Sequence, residues 1–310
     1  MMRTTTSLLL AIVLLASCNQ FEKAPSGMTY KITSGGTKEK VKQGQFLKLH
    51  IEYKLKSKDS VLQSSFGRIP VYFPIDTANL GKHTFTEIIT KCASGDKVEF
   101  VLFIDTLKKM QVIDYNEMFK QGDMINGRFE ILKVFNTQDE VKADYDKEME
   151  LEKQREITEV KEYAKKKNMK VQSTASGVQV EILNPGTGQK ADSGWQASVL
   201  YKGYFTQGKK DGEVFDTNMN PNAPNNQPYP VVIGSRNVIP GWDEALRLFA
   251  KGGKGRIIVP AWMAYGQQGS APVIPPFANL GFDIEVVDVT KPTPQPAQPG
   301  NPANPGAPQQ

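Results

Sequence analysis

The chain has 310 residues, enough for two ordinary domains, and its 39% hydrophobic and 9% aromatic content supports real cores. Its net charge of +5 is mild, whereas nucleic-acid binders concentrate basic residues into one patch, so nucleic acid is not an expected partner. The 20 prolines cluster, so part of the chain is not globular.

Residues 1–18 read as an export leader. Arg3 gives a positive start, and Leu8 to Leu15 form an apolar run too short to span a membrane. Leu15-Ala16-Ser17-Cys18 resembles a bacterial lipobox, in which small residues precede a cysteine that is diacylated and becomes the mature N-terminus. On that reading Cys18 is a lipidation site, the anchor is a lipid membrane, and Cys92 has no disulfide partner within the chain. The alternative is an ordinary secretory signal that ends near a cysteine. Residues 19–26 form a tether, and Asn19 after the cysteine, rather than Asp, points toward the outer membrane of a bacterial envelope.

An internal repeat follows. Ser26-Gly27-Met28 with Ile32, Gly36, Thr37, Lys40 and Gly44 recurs as Ser176-Gly177-Val178 with Ile182, Gly186, Thr187, Lys190 and Gly194, at a constant offset of 150 residues. Gly95-Asp96-Lys97 then leads into Val98 to Leu102 as Gly252-Gly253-Lys254 leads into Arg256 to Val259. Each copy closes on a β-rich run, Phe129 to Phe135 and Phe282 to Val289. This gives two related domains, 27–135 and 170–290. Strands dominate both, with Phe46 to Leu55 and Gln196 to Tyr204 the clearest. Pro240-Gly241-Trp242-Asp243 reads as a turn opening one short helix, Asp243 to Leu248, whose apolar face is Trp242, Ala245, Leu246 and Phe249. The fold class is α+β, an antiparallel sheet with one short helix on a face of each unit.

Residues 136–169 read as a charged helical linker. Thr137 and Glu140 make a capping box, acids fill the first half, and Lys161 and Lys165 to Lys167 finish it. About 30 residues at ~1.5 Å each would span roughly 45 Å. A thin stripe of Val141, Tyr145, Met149, Ile157, Val160 and Ala164 leaves two readings: a solvated spacer, or a seam for a neighbouring domain or for self-association with a second copy. Residues 291–310, rich in Pro, Gln, Asn and Gly, cannot bury a core and are expected to be extended and disordered.

The most informative stretch is 229–282. Tyr229, Val238, Ile239, Trp242, Ala264, Tyr265, Ile274 and Phe282 fall between glycines and prolines, a pattern of short strands and tight turns around an apolar concavity. It holds no nucleophile–base pair, metal cluster or phosphate loop, so neither metal nor cofactor is expected. Together with Tyr201 and Val214-Phe215-Asp216, and with Phe282-Asp283-Ile284-Glu285 closing the series, the region 175–289 resembles the FKBP-type peptidyl-prolyl cis-trans isomerases. That resemblance implies a half-wrapped antiparallel sheet around one helix in both units, joined by the linker helix.

It also implies roles. Trp242 would floor a pocket for a substrate proline ring, with Tyr201, Phe215 and Phe282 as walls. Tyr265 and the Ile239 N–H would bond peptide carbonyls, Asp216 would sit at the polar edge, and Tyr229, Val238, Ala264 and Ile274 would complete the rim. The implied function is isomerisation of X–Pro bonds in exported or envelope proteins, without covalent chemistry; the alternative is a non-catalytic module that grips Pro-containing segments. The segment Asn218 to Pro228 carries no Lys or Arg to partner Asp216. In the N-terminal copy Ile51 stands for Tyr201 and Leu62-Gln63 for Phe215-Asp216, with Phe85 at best in the tryptophan's place, so that copy reads as a degenerate relative without activity.

Overall fold

The computed structural model describes residues 20–224 and 226–291. The leader with Cys18, the first tether residue and the proline-rich tail beyond residue 291 lie outside the described residues. The chain divides into two compact units, Met1–Glu150 and Leu151–Gln310. Among the described residues no helix is long and apolar enough to cross a membrane, and Cys92 is a buried free thiol.

In the first unit β1 (Glu22–Lys23), β2 (Thr29–Thr33), β3 (Phe46–Leu55), β4 (Ser60–Ser64), β5 (Val71–Pro74), β6 (Lys97–Phe103) and β7 (Met124–Phe135) form one sheet. Its order is β1-β2-β6-β7-β3-β4, with β5 also paired to β3. Every pairing is antiparallel. Buried residues recur at every second position through much of β3 and β7, the period of a sheet with one covered face. On that face Leu49, Ile51, Phe100 and Phe129 meet Ile88 and Ile89 of a 3-10 helix, Phe85–Lys91. The helix α1 (Ile104–Lys109) opens the connection from β6 to β7.

The linker helix is α2 (Gln138–Lys166). Its start is the expected capping box: the Glu140 N–H donates to Thr137 Oγ1 at 3.3 Å, and Glu140 Oε2 accepts from the Thr137 N–H at 3.2 Å. The spacer reading does not hold. Within the first unit, Lys48 Nζ lies 2.6 Å from Asp144 and 2.7 Å from Glu148, and Tyr72 packs edge-on against Tyr145 with 5.6 Å between ring centroids. Within the second unit, Val160 and Ala164 are fully buried beside Met169 and Ile258. The seam reading is the one supported: at Tyr145, Val160 and Ala164 the stripe packs against the chain itself.

The second unit repeats the plan with β8 (Val171–Ser173), β9 (Gln179–Asn184), β11 (Gln196–Phe205), β12 (Val214–Thr217), β13 (Tyr229–Val232), β15 (Gly253–Val259) and β16 (Leu280–Thr290). The order β8-β9-β15-β16-β11-β12, with β13 on β11, is that of the first sheet strand for strand; β10 (Thr187–Lys190) and β14 (Ala250–Lys251) make a small separate pair. A second signature repeats too. Ser26 Oγ donates to Glu87 at 2.5 Å, and Ser176 Oγ donates to Glu244 at 2.5 Å, each tying the chain ahead of a sheet strand to the unit's short helix. Both units are thus α+β domains of one topology.

The short helix α3 is Pro240–Leu246 and not Asp243–Leu248 as the sequence suggested. Proline at the first helical position has its φ preset and lacks only a donor that would be unpaired there, so it starts the helix rather than the turn before it. Gly241 lets α3 sit on β15, since a Cβ there would fall 2.4 Å from Val259 Cγ1. Trp242, Ala245 and Leu246 then enter the core with Phe249.

Candidate active site

Four aromatic rings from four separate elements meet on the inner face of the second sheet. Tyr201 comes from β11, Phe215 from β12, Trp242 from α3 and Phe282 from β16. Trp242 takes Tyr201 edge-on at 5.1 Å and Phe282 edge-on at 5.3 Å, and Phe215 meets Phe282 edge-on at 5.8 Å. Edge-to-face contacts are the preferred geometry of such rings, so the set is self-bracing. Gly203 makes room for it: a Cβ there would lie 2.6 Å from the Phe215 ring and 3.0 Å from that of Phe282.

The rings enclose an open cavity of about 230 Å³. All the predicted residues line it except Ala264 and Ile274, and Asn237 joins them. Ala264 packs partly buried against the core, and Ile274 is buried behind the loop tip, where its N–H and carbonyl are both bonded to Ser270 at 2.8 Å. Asn237, beside Val238 and Ile239, was missed because an asparagine in a turn reads as turn chemistry alone. Exposure is graded, from 4% at Phe282 and 5% at Trp242 to 42% at Tyr265 and 45% at Tyr229. The floor is dry and the rim is wet.

Two polar edges complete the cavity. Tyr201 Oη donates to Asp216 Oδ2 at 2.6 Å, and burial together with that carboxylate pushes the Tyr201 hydroxyl well above its ordinary pKa. Burial, with Asp216 and Tyr229 nearby, raises Tyr265 as well, so both hydroxyls remain donors at neutral pH. Among the described residues no lysine or arginine pairs with Asp216, and the Ile239 N–H has no partner. Asn218, 4% exposed, holds the long segment after β12: its Oδ1 accepts from the Tyr201 N–H at 2.6 Å and its Nδ2 donates to the Val199 and Gln227 carbonyls at 3.0 and 2.9 Å. Among the described residues no group of acids, histidines or cysteines could hold a metal.

Residues 187–287 match the family model described as FKBP-type peptidyl-prolyl cis-trans isomerase. An FK506-binding protein of Neisseria meningitidis serogroup B is 35% identical over 113 residues, 36% of this chain and 96% of that protein. The chain belongs to the FKBP-type isomerase family. FkpA of Escherichia coli K12 is 35% identical over 133 residues, 43% of this chain and 44% of FkpA. FK506-binding protein 4 of Dictyostelium discoideum is 40% identical over 123 residues, 40% of this chain and 31% of that protein. Among solved structures, E. coli FkpA aligns over 50% of this chain and 68% of its own, at 30% identity and a TM-score of 0.38. The chain thus spans nearly all of the Neisseria FKBP but less than half of the E. coli and Dictyostelium relatives. The matched FKBP region is the one that carries the four-ring cavity.

Proposed function

We propose that the second unit accelerates cis–trans isomerisation of X–Pro bonds in segments of exported proteins, from a membrane to which Cys18 is acylated in a bacterial envelope. The observation that carries the reading is Trp242 as the nearly buried floor of an open cavity walled by Phe215, Phe282 and Tyr201.

The reaction suits such a site. Amide resonance sets a barrier of about 18–20 kcal/mol, and uncatalysed rotation takes on the order of tens to hundreds of seconds. The proline ring settles on Trp242 while the aromatic walls exclude water. A planar amide is more polar than a twisted one, so a dry cavity favours the twisted form, and only that difference lowers the barrier. The Ile239 N–H and the Tyr265 hydroxyl stand at the rim as donors to the flanking carbonyls. No bond to the protein forms or breaks.

The test is proline-limited turnover of a Xaa-Pro peptide by the full chain, with and without FK506. Turnover that FK506 blocks and that Phe215→Ala lowers at least about tenfold, roughly 1.4 kcal/mol of barrier, supports the reading. A folded chain that binds FK506 and the peptide yet accelerates nothing would make the cavity a Pro-segment grip instead. The anchor is tested separately: Cys18→Ser should release the protein from the membrane fraction.

A further inference from the structure

The loop that carries Tyr265 leaves β15 after Val259 and returns at Leu280. Both of its feet are held by α2, a helix that lies wholly before the matched family region, 187–287. At the outgoing foot the Trp262 N–H donates to Glu156 Oε2 at 2.7 Å. At the returning foot Asn279 Nδ2 donates to Glu159 Oε2 at 2.8 Å, and Gln207 Nε2 donates to the same oxygen at 2.6 Å. Glu156 and Glu159 are three residues apart and so share one face of the helix.

Asn279 ties the two feet to each other. Its Oδ1 accepts from the Ala261 N–H at 2.8 Å, its carbonyl accepts from the Thr206 hydroxyl at 2.9 Å, and it is 1% exposed. Between the feet the loop is braced by its own bonds, from the Gly266 N–H to the Ala261 carbonyl at 2.8 Å and from the Phe277 N–H to the Gly266 carbonyl at 2.9 Å. Braced in this way, the loop depends on its feet for its position, and Tyr265 stands three residues from Trp262.

Glu156 is 1% exposed, and Val160 and Ala164 one and two turns further along are fully buried. A carboxylate is costly to bury unless hydrogen bonds hold it, so such a group is placed for what it binds. Lys153 Nζ also lies 5.2 Å from the Trp262 ring centroid, on the same stretch of helix.

We propose that Glu156 and Glu159 are positioning residues for the isomerase: α2 clamps both feet of the 260–279 loop and thereby sets where Tyr265 stands over the cavity. This rests on the function proposed above. A domain cut at the family boundary would lose the clamp while keeping every cavity residue.

The experiment compares the full chain with Glu156→Ala/Glu159→Ala, with the Gln pair, which keeps an acceptor oxygen at each foot, and with Val160→Ala, which weakens the same helix away from the loop. Five quantities are read: kcat and KM for a Xaa-Pro peptide, affinity for FK506, amide exchange of residues 264–277, and Tm. The Ala pair should lose about tenfold in kcat/KM, about 1.4 kcal/mol, and exchange faster in the loop. The Gln pair should recover most of both, and Val160→Ala should lower Tm while leaving kcat/KM within about twofold. An Ala pair that lowers Tm as Val160→Ala does, with wild-type kcat/KM and loop exchange, overturns the proposal. If the Ala pair does not fold, Glu159→Ala alone, removing a half-buried group, carries the comparison. If the wild type itself shows no turnover, the isomerase reading fails separately, and loop exchange with FK506 affinity decides the clamp.

Discussion

Tyr53 stands directly across from Gly127 in the first sheet, whereas the equivalent row of the second pairs Gly203 with Phe282. The equivalence follows from the registers, which shift at Lys48/Leu49 against β7 and at Ser198/Val199 against β16. Ring and gap have changed strands. A Cβ on Gly127 would lie 2.0 Å from the tip of Phe100, which fills the gap and packs 5.7 Å from Tyr53 and 6.1 Å from Phe129. Phe85 precedes Lys97 by the same twelve residues that separate Trp242 from Lys254, and it meets Phe73 and Phe129 at 5.3 and 5.6 Å. Where the second unit keeps an aromatic-walled cavity, the first has a packed core.

Phe100→Ala should therefore cost the first unit about 3–5 kcal/mol, as a buried phenylalanine does, and leave turnover unchanged. Calorimetry and the peptide assay on the same full-length protein check both halves. The first unit should add nothing to turnover: Phe100→Ala should leave kcat/KM unchanged both in the wild-type chain and in the Phe215→Ala background. A fall in the residual turnover of the Phe215→Ala chain on adding Phe100→Ala would make the first unit a second active site.

Gly203→Ala tests the cavity walls from behind. The new methyl would fall 2.6 Å from the Phe215 ring, closer than real contacts come, and a tight 3.0 Å from that of Phe282, so the Phe215 ring must move. Overpacking of this kind costs about 1–3 kcal/mol, and the shift should fall on the substrate side of the rings. KM should rise with little loss of secondary structure by circular dichroism. Unchanged KM would mean that the walls yield away from the cavity.

The aromatic site was legible because its chemistry is written in residue types that have few other uses together. Trp242, Phe215 and Phe282 lie far apart in sequence, but each sits beside a turn or strand signal that places it. The errors have physical causes. Ile274 and Ala264 are apolar and adjacent to the site, and composition does not distinguish a rim from the core behind it. Glu156 sits in a run of helical charges, where a buried carboxylate looks like a solvated one. The Tyr53–Gly127 exchange needs strand register, which no local pattern supplies.

The chain's two histidines, His50 and His83, both lie in the first unit. His83 is fully buried, its Nε2 accepts the Phe103 N–H at 2.9 Å, and burial holds its pKa below the ordinary 6.5. Burial also lowers His50. Below about pH 6.5 the unfolded chain takes up protons that the folded unit refuses, so stability falls as pH falls. Between about pH 6.5 and 5 the first unit should lose stability and the second should not, followed by urea titrations with a probe in each. His83→Gln should flatten the slope. An equal loss in both units would assign the effect elsewhere.

At the alkaline end the same linkage runs the other way. Burial pushes the Cys92 thiol and the Tyr53 and Tyr163 hydroxyls up to about 12, from 9.0 and 10.0. Below the unfolded values these groups are protonated in both states, so their stabilising contribution is fully present. Above about pH 9 the unfolded chain gives up protons first, and each such group costs about 1.4 kcal/mol per pH unit until its folded pKa is reached. The first unit holds Cys92 and Tyr53, so it should begin to weaken near pH 9, about one unit before the second. Turnover behaves differently, because burial raises both Tyr201 and Tyr265 at the cavity. It should stay level past pH 9, where the first unit begins to lose stability. A fall in kcat/KM at pH 9 with the second unit still folded would show that one of those two hydroxyls ionises early and that its proton is needed for the reaction.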